Sequence, residues 1–222
     1  MFIETHGSGS HVLLVHGTLE SPEAYRPMAE ALAAEHTVHL VHRSGHGKAQ
    51  VPSHYDLAAE RDALRDYLRD VGADAYGLVG SAEGSYLCFS LAIDPELPIR
   101  AMLGLAPYAG SDPHYVERAR ALALGLPGDR AHVAAELRAF AEAEPLLRRL
   151  HEPQIPIDLR IGALDDRLSL EAVRHIARSL HNTSLDIVPD RGHSLVTQDS
   201  ARTLEAAVIT ARRVRPMQVE AR

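Results

Sequence analysis

The 222-residue chain predicts a single α/β domain, residues 1–222, in which a mostly parallel sheet is covered by helices on both faces. Two observations carry this. Short apolar runs alternate with longer segments of helical period. Those runs are nearly continuous in Val, Ile, Leu and Ala, as strands buried on both faces read. The length supports one large core, which at this size buries roughly 70–75% of the unfolded surface without disulfides or metals.

In chain order the strand segments are 12–16, 38–41, 76–80, 101–106, 157–162 and 185–188. Helical patterns fall between and after them, over 23–34, 57–71, 83–93, 170–179 and 199–214. In the second helix Leu57, Ala58, Arg61, Leu64, Tyr67, Leu68 and Val71 form a largely apolar stripe at the 3.6-residue period. Strand–helix alternation of this kind implies right-handed parallel crossovers. Residues 107–156 break the rhythm, because a plain crossover needs far fewer than about fifty residues. Two helical patterns lie within them, 115–124 and 131–150, separated by Leu126-Pro127-Gly128. The segment is too short to own a core, so it is expected to form a small helical cap. The tail after Arg213, charged and holding Pro216, is expected to fray.

Composition excludes several function classes. Thirty acidic residues against 23 basic ones give a formal charge of −7, opposite in sign to a nucleic-acid binder. A lone cysteine, Cys88, rules out an internal disulfide framework and any cysteine-rich metal site. The first residues lack the basic and apolar regions of a signal peptide, and no apolar run reaches the ~18 residues of a membrane span. The expectation is a cytoplasmic protein acting on a small molecule, without nucleic-acid or membrane partners.

In open parallel sheets, function gathers beyond the carboxyl ends of the strands, so the turns there carry the argument. The first strong strand leads into His16-Gly17-Thr18 and the second into Arg43-Ser44-Gly45-His46-Gly47. The third leads into Gly80-Ser81-Ala82-Glu83-Gly84, the fifth into Gly162-Ala163-Leu164-Asp165-Asp166, and the last into Asp190-Arg191-Gly192-His193. A Gly-x-x-x-Gly turn from strand to helix, then an acid, then Gly-His resembles the α/β-hydrolases, whose nucleophile, acid and base follow in that order. The resemblance extends over nearly the whole chain. It implies an α/β-hydrolase fold, no cofactor and no metal.

One position departs from the family pattern. The elbow residue, which the family fills with Ser, Cys or Asp, is Ala82. Shifting the frame fails, because Ser81 would need small residues at Val79 and Glu83, and Ser85 would need them at Glu83 and Leu87. The resemblance assigns Asp165 as the acid, His193 as the base, and the backbone N–H groups of Thr18 and Glu83 as the oxyanion hole. Asp166 competes with Asp165, with the spacing from Gly162 favouring Asp165. The Glu83 side chain is expected to cap the following helix, the alternative being contact with substrate.

Other polar residues have plainer readings. His16 reads as structural. His36, His39 and His42 do not make a metal site, since neighbouring strand residues diverge and no carboxylate stands beside them in that strand. His46 lies at the site rim and is a candidate substrate contact, as are Tyr108 and Tyr115, with His114 and Phe140 nearby in the cap. Cys88 reads as a small buried hydrophobe. The implied activity is cleavage of an ester or thioester of a small organic acid by Ser-His-Asp chemistry, with Ala82 in the nucleophile's place. The intact remainder of the machinery favours a replaced serine, and so an inactive, substrate-trapping variant, over a natural loss. The alternative is a non-hydrolytic ligand-binding protein, or a lyase with His193 as base.

Overall fold

The computed structural model describes residues 1–110 and 112–214. The tail expected to fray lies outside them beyond Val214. Seven strands form one sheet in the order β1-β3-β2-β4-β5-β6-β7. They are β1 (Phe2–His6), β2 (Ser10–Val15), β3 (His36–His42), β4 (Tyr76–Ser81), β5 (Ile99–Leu105), β6 (Ile157–Gly162) and β7 (Thr183–Val188). The six strands β2–β7 run parallel, as expected, while β1 is an antiparallel edge strand paired with β3 from Phe2↔His42 to His6↔Val38. Every residue of β1 is exposed or half-buried, so no continuous apolar run marks it in the sequence.

The helices are α1 (Arg26–Leu32), α2 (Leu57–Val71), α3 (Glu83–Ala92), α4 (Pro113–Gly125), α5 (Ala131–Ala141), α6 (Leu170–Ser179), α7 (Leu195–Gln198) and α8 (Ser200–Arg212). Two have the bounds the periodicity predicts, because their ends are chemically marked. Asp56 accepts the Ala59 N–H ahead of α2, and Gly72 closes it at φ 62°. Ser169 accepts the Ala172 N–H ahead of α6. Two expected helices are shorter. The 23–34 pattern opens with a 3-10 turn, Pro22–Tyr25, before α1. The 131–150 pattern is helical only to Ala141, then runs irregularly into a 3-10 turn at Leu147–Arg149.

The alternation of each strand divides the core in two. Val12 and Leu14 face one way, with Leu40, Val79 and Leu105, onto α1 and α8. Leu13 and Val15 face the other, with Leu78, Met102 and Ile161, onto α2, α3 and α6. Helices α4 and α5 pack on each other between β5 and β6. Their side chains reach the loops beyond β2, β3 and β4. Tyr115 bonds Glu83, and Glu136 bonds Thr18, Arg43 and His46.

Candidate active site

The β4–α3 turn is built as the sequence requires. Ala82 sits at φ 46° and ψ −117°, a conformation that favours glycine and strains any side-chain-bearing residue. The flanking glycines are sterically obligatory. A Cβ on Gly84 would lie 2.3 Å from the Val15 carbonyl oxygen, and one on Gly80 would lie 2.7 Å from that of Gly84. Ala82 donates its N–H to the Leu105 carbonyl at 2.9 Å, and Ser85 donates its hydroxyl to the Ala82 carbonyl. The strained turn is thus pinned from two sides, with a methyl group at the position where the sequence resemblance expects a nucleophile.

Asp165 and His193 come together across the ends of β6 and β7. Nδ1 of His193 donates to Oδ2 of Asp165 at 2.9 Å and lies 3.1 Å from Oδ1. Asp165 also accepts the N–H groups of Arg167 and Leu168, which fixes its carboxylate. Asp166 is elsewhere: its carboxylate pairs with Arg118 and its carbonyl meets His114. Burial would depress the charged form of His193, yet the bond to Asp165 and its charge hold the imidazole above its ordinary pKa. Asp165 is held below its ordinary value: burial opposes this, but the His193 bond and charge outweigh it.

Glu83 corrects an expectation. Its side chain does not cap α3. Oε2 accepts the Thr18 N–H at 2.8 Å and Oε1 accepts the Tyr115 hydroxyl at 2.6 Å. The Thr18 N–H, expected to face a substrate oxygen, therefore meets a carboxylate of the chain itself. Burial alone would push Glu83 up, but the Tyr115 and Thr18 bonds and the nearby His193 bring it below the ordinary carboxylate range. The Glu83 carboxylate thus engages a donor that the sequence resemblance assigns to an oxyanion hole.

Four buried or half-buried carboxylates escaped the sequence reading: Glu20, Glu60, Asp112 and Glu136. Glu20 accepts the Gly17 N–H at 2.9 Å and the hydroxyls of Tyr25 and Ser81 at 2.6 and 3.0 Å. Arg43, fully buried, bridges Glu60 at 2.9 Å and Glu136 at 2.5 Å. Glu136 further accepts Thr18 Oγ at 2.8 Å and His46 Nε2 at 2.7 Å, so His46 is tied to α5. Asp112 ties the start of α4 to the loop before α6 by accepting both the N–H and the hydroxyl of Ser169. Each also finds a partner 17 or more positions away, which local spacing does not reveal, although Asp112 carries a local signal as the N-cap of α4, accepting the His114 N–H ahead of Pro113.

The remaining candidates have hydrogen-bond or packing partners within the chain. Tyr108 donates its hydroxyl to the Phe140 carbonyl at 2.8 Å and stacks on Tyr115 at 3.9 Å between centroids. His16 accepts the Arg43 N–H and donates to the Gly17 carbonyl, and burial holds it neutral. Cys88 is buried beneath Gly80, and burial pushes its thiol far up. His42 does have a carboxylate partner, Glu4 on β1, a strand the sequence reading lacked. Among the described residues no cluster of His, Cys, Asp and Glu has a metal-binding arrangement, and no helix is long and apolar enough to cross a membrane.

A family model of the alpha/beta hydrolase fold matches residues 10–140, more than half of the sequence. The chain belongs to the alpha/beta hydrolase fold family. Among solved structures, an esterase from Thermogutta terrifontis superposes with a TM-score of 0.81 at 22% identity, over 95% of this chain and 92% of that one. An esterase from Exiguobacterium antarcticum gives 0.80 at 14%, over 95% of each. A meta-cleavage product hydrolase from Pseudomonas fluorescens, a serine-to-alanine mutant complexed with acetates, gives 0.72 at 16%, over 95% and 93%. At these identities the likeness speaks to the fold. Uncharacterised proteins of Mycobacterium tuberculosis and Mycobacterium bovis are 29% identical over 121 residues, 54% of this chain. The chain spans about a third of the length of these curated relatives, matching 36% of each.

Proposed function

We propose that this hydrolase-fold chain carries an acid–base site for a small acyl compound, an ester or thioester of a small organic acid, and that it runs no acyl-enzyme step. Residues 107–156 act as the cap of that site, and the surroundings are cytoplasmic. His193, oriented by Asp165, is the group able to take or give a proton. The observation that carries the reading is the pairing of the Ala82 methyl with the Glu83 carboxylate on the Thr18 N–H. A tetrahedral oxyanion needs free donors, and losing one typically lowers turnover about 10²–10³-fold. Here one donor is engaged and a negative charge stands beside it. Ligand binding, or proton transfer by His193 without a covalent intermediate, is the chemistry left.

A second reading is favoured by a different observation. The strained turn at Ala82, the two obligatory glycines and the Asp165–His193 pair are all those of a working elbow. On that reading the chain is a Ser-His-Asp hydrolase whose serine has been replaced, leaving a form that holds substrate without cleaving it. Burst kinetics with p-nitrophenyl acetate and a short acyl-thioester separate the two. Under the proposal Ala82→Ser shows no burst, and Ala82→Ser combined with Glu83→Ala does. A full burst from Ala82→Ser alone would reject the proposal and establish the second reading.

A further inference from the structure

A groove of about 570 Å³ lies on the flank of α3, between α2, the turn after α3 and the segment after α5. Small-molecule sites have volumes of this order. It follows α3 from Tyr86 to the C-terminal end of the helix, and so leads away from Ala82. None of the residues placed at the Ala82 site lines it. Arg61 and Arg65 of α2 line it with Arg148 and Arg149 of the 3-10 turn, against the carboxylates of Asp94 and Glu144. Four cations against two anions leave a local charge of +2, on a chain whose formal charge is −7.

The groove exists because the helical pattern after α5 fails. Pro145 interrupts it, and the backbone there is held from two sides. Tyr86 donates its hydroxyl to the Glu144 carbonyl at 3.0 Å, and Leu146 donates its N–H to the Ala109 carbonyl at 2.9 Å. The 3-10 turn that follows brings Arg148 and Arg149 to the groove. Across it stand Arg61, the one charged member of the apolar stripe of α2, and Arg65, one turn further on. Buried Leu91, Ile93 and Leu146 and exposed Pro95 and Pro145 add apolar surface.

These arginines are weakly committed within the chain. Arg61 bonds Asp62, its neighbour in sequence, with the two side chains 45% and 40% exposed. Arg149 pairs with Glu152 at the surface, while Arg148 has no ion pair among the described residues. Exposed pairs of this kind contribute little and give way to a better partner. Arg65 differs, because its Nε is buried without an acceptor. The carboxylates of Asp62 and Asp66 stand 3.6 Å from its guanidinium, outside hydrogen-bond range. Buried donors are nearly always paired, so this one marks a place for an acceptor.

We propose that this groove is a second binding site, for an organic phosphate monoester: the arginines of α2 and of the 3-10 turn take the phosphate, and the apolar surface takes the body that carries it. Guanidinium forks match phosphate oxygens in pairs, and a dianion offsets the two charges that Asp94 and Glu144 leave uncompensated. A carboxylate brings a single charge, and a neutral ligand brings none. Binding here does not depend on the chemistry at Ala82, and neither outcome of the burst assay alters it.

The test is isothermal titration of the full chain with phenyl phosphate, benzoate and phenol, which share a body and differ in charge. Phenyl phosphate is expected to bind saturably with a Kd on the order of 0.1–1 mM, benzoate more weakly and phenol not measurably. The affinity should fall as salt is raised from about 20 to about 200 mM, because the arginines are partly exposed. Arg65→Gln and Arg148→Gln should each weaken binding about tenfold, the scale of one charge-assisted bond. Arg148 is exposed, so its variant supplies an independent arm if Arg65→Gln does not fold. Glu144→Gln removes a competing negative charge and should tighten binding. Benzoate or phenol binding as tightly, indifference to salt or to both arginine variants, weaker binding by Glu144→Gln, or no saturable binding each overturns the proposal. So does sedimentation with phosphatidylglycerol vesicles without any response to phenyl phosphate, which would make these arginines a membrane-facing surface instead.

Discussion

Replacing Arg43 by Met should be the most damaging single change outside the hydrophobic core. The Arg43 side chain is fully buried, between Glu60 and Glu136, whose side chains are each 1% exposed. Its guanidinium also bonds the Tyr55 hydroxyl at 3.0 Å and the His16 carbonyl at 3.3 Å. Met matches much of the volume but leaves two buried carboxylates without their cation. Breaking a buried pair from one side costs about 3–5 kcal/mol, because the partner's desolvation is no longer offset. For a chain of this size that is a fall in Tm of about 6–20 °C, at about 2–4 °C per kcal/mol. The sign of the pH dependence follows from Glu60. Burial pushes its pKa up, Arg43 and Tyr55 bring it below the ordinary value, and the latter wins. Its contribution is therefore present above the unfolded carboxylate pKa of about 4.3 and lost as pH falls through the lower folded value. In Arg43→Met burial is no longer opposed by that charge, so the deficit should be largest near neutral pH and shrink toward acid. Urea unfolding followed by circular dichroism, with Glu136→Gln and the double variant completing a cycle, measures this. A deficit below about 1 kcal/mol, or a coupling energy between 43 and 136 near zero, would refute the account of the network.

Four further outcomes are expected. Ala82→Gly should raise stability by about 1 kcal/mol in chemical denaturation, since glycine relieves the positive φ at the elbow. Gly84→Ala should lower it by at least about 2 kcal/mol, because the new Cβ meets the backbone of Val15 at 2.3 Å, which cannot swing aside. The stabilisation that His193 draws from Asp165 is fully present below the unfolded histidine pKa of about 6.5 and is lost as pH rises through the raised folded value. Asp165→Asn should accordingly lower the imidazole pKa seen by NMR, and its stability deficit should narrow as pH rises through that range. Tyr115→Phe should raise the Glu83 pKa by removing a bond to its charged form, which a carboxylate ¹³C titration detects.

The fold was legible where apolar continuity and end signals were strong. The central strands β4 and β6, and helices α2 and α6 with their Asp56, Gly72 and Ser169 ends, stand at or within one residue of where periodicity puts them. The edge strand β1 was not legible, because half-exposed residues against a single neighbour need no apolar run. The residues beyond Ala141 carry helical periodicity but Pro145 interrupts them, and Leu146 donates its N–H to the Ala109 carbonyl rather than within a helix. At the site, position along the chain located Ala82, Asp165 and His193, since each follows a strand end. Nothing in local spacing could have shown that Glu83 reaches Thr18, 65 residues away, or that Glu136 reaches it from 118.

Those two contacts bear on what the loop after β2 is for. Thr18 donates its N–H to Glu83 and its hydroxyl to Glu136, so both of its donors are engaged by carboxylates from α3 and α5. Glu136 is itself compensated by Arg43 and His46, and Glu83 by Tyr115. A loop held in this way is rigid, and preorganisation of that kind aids catalysis only when the donors are left facing the reacting atoms. Here they face inward. Placing a hydroxyl at position 82 alone would therefore set it beside the Glu83 carboxylate, with the Thr18 N–H already engaged. Carbonyl addition there would develop negative charge against an existing one, in a buried setting where such repulsion is weakly screened. On the proposed reading, the Ala82 methyl and the buried Glu83 carboxylate thus act in the same direction, and acyl transfer at this position requires both to change.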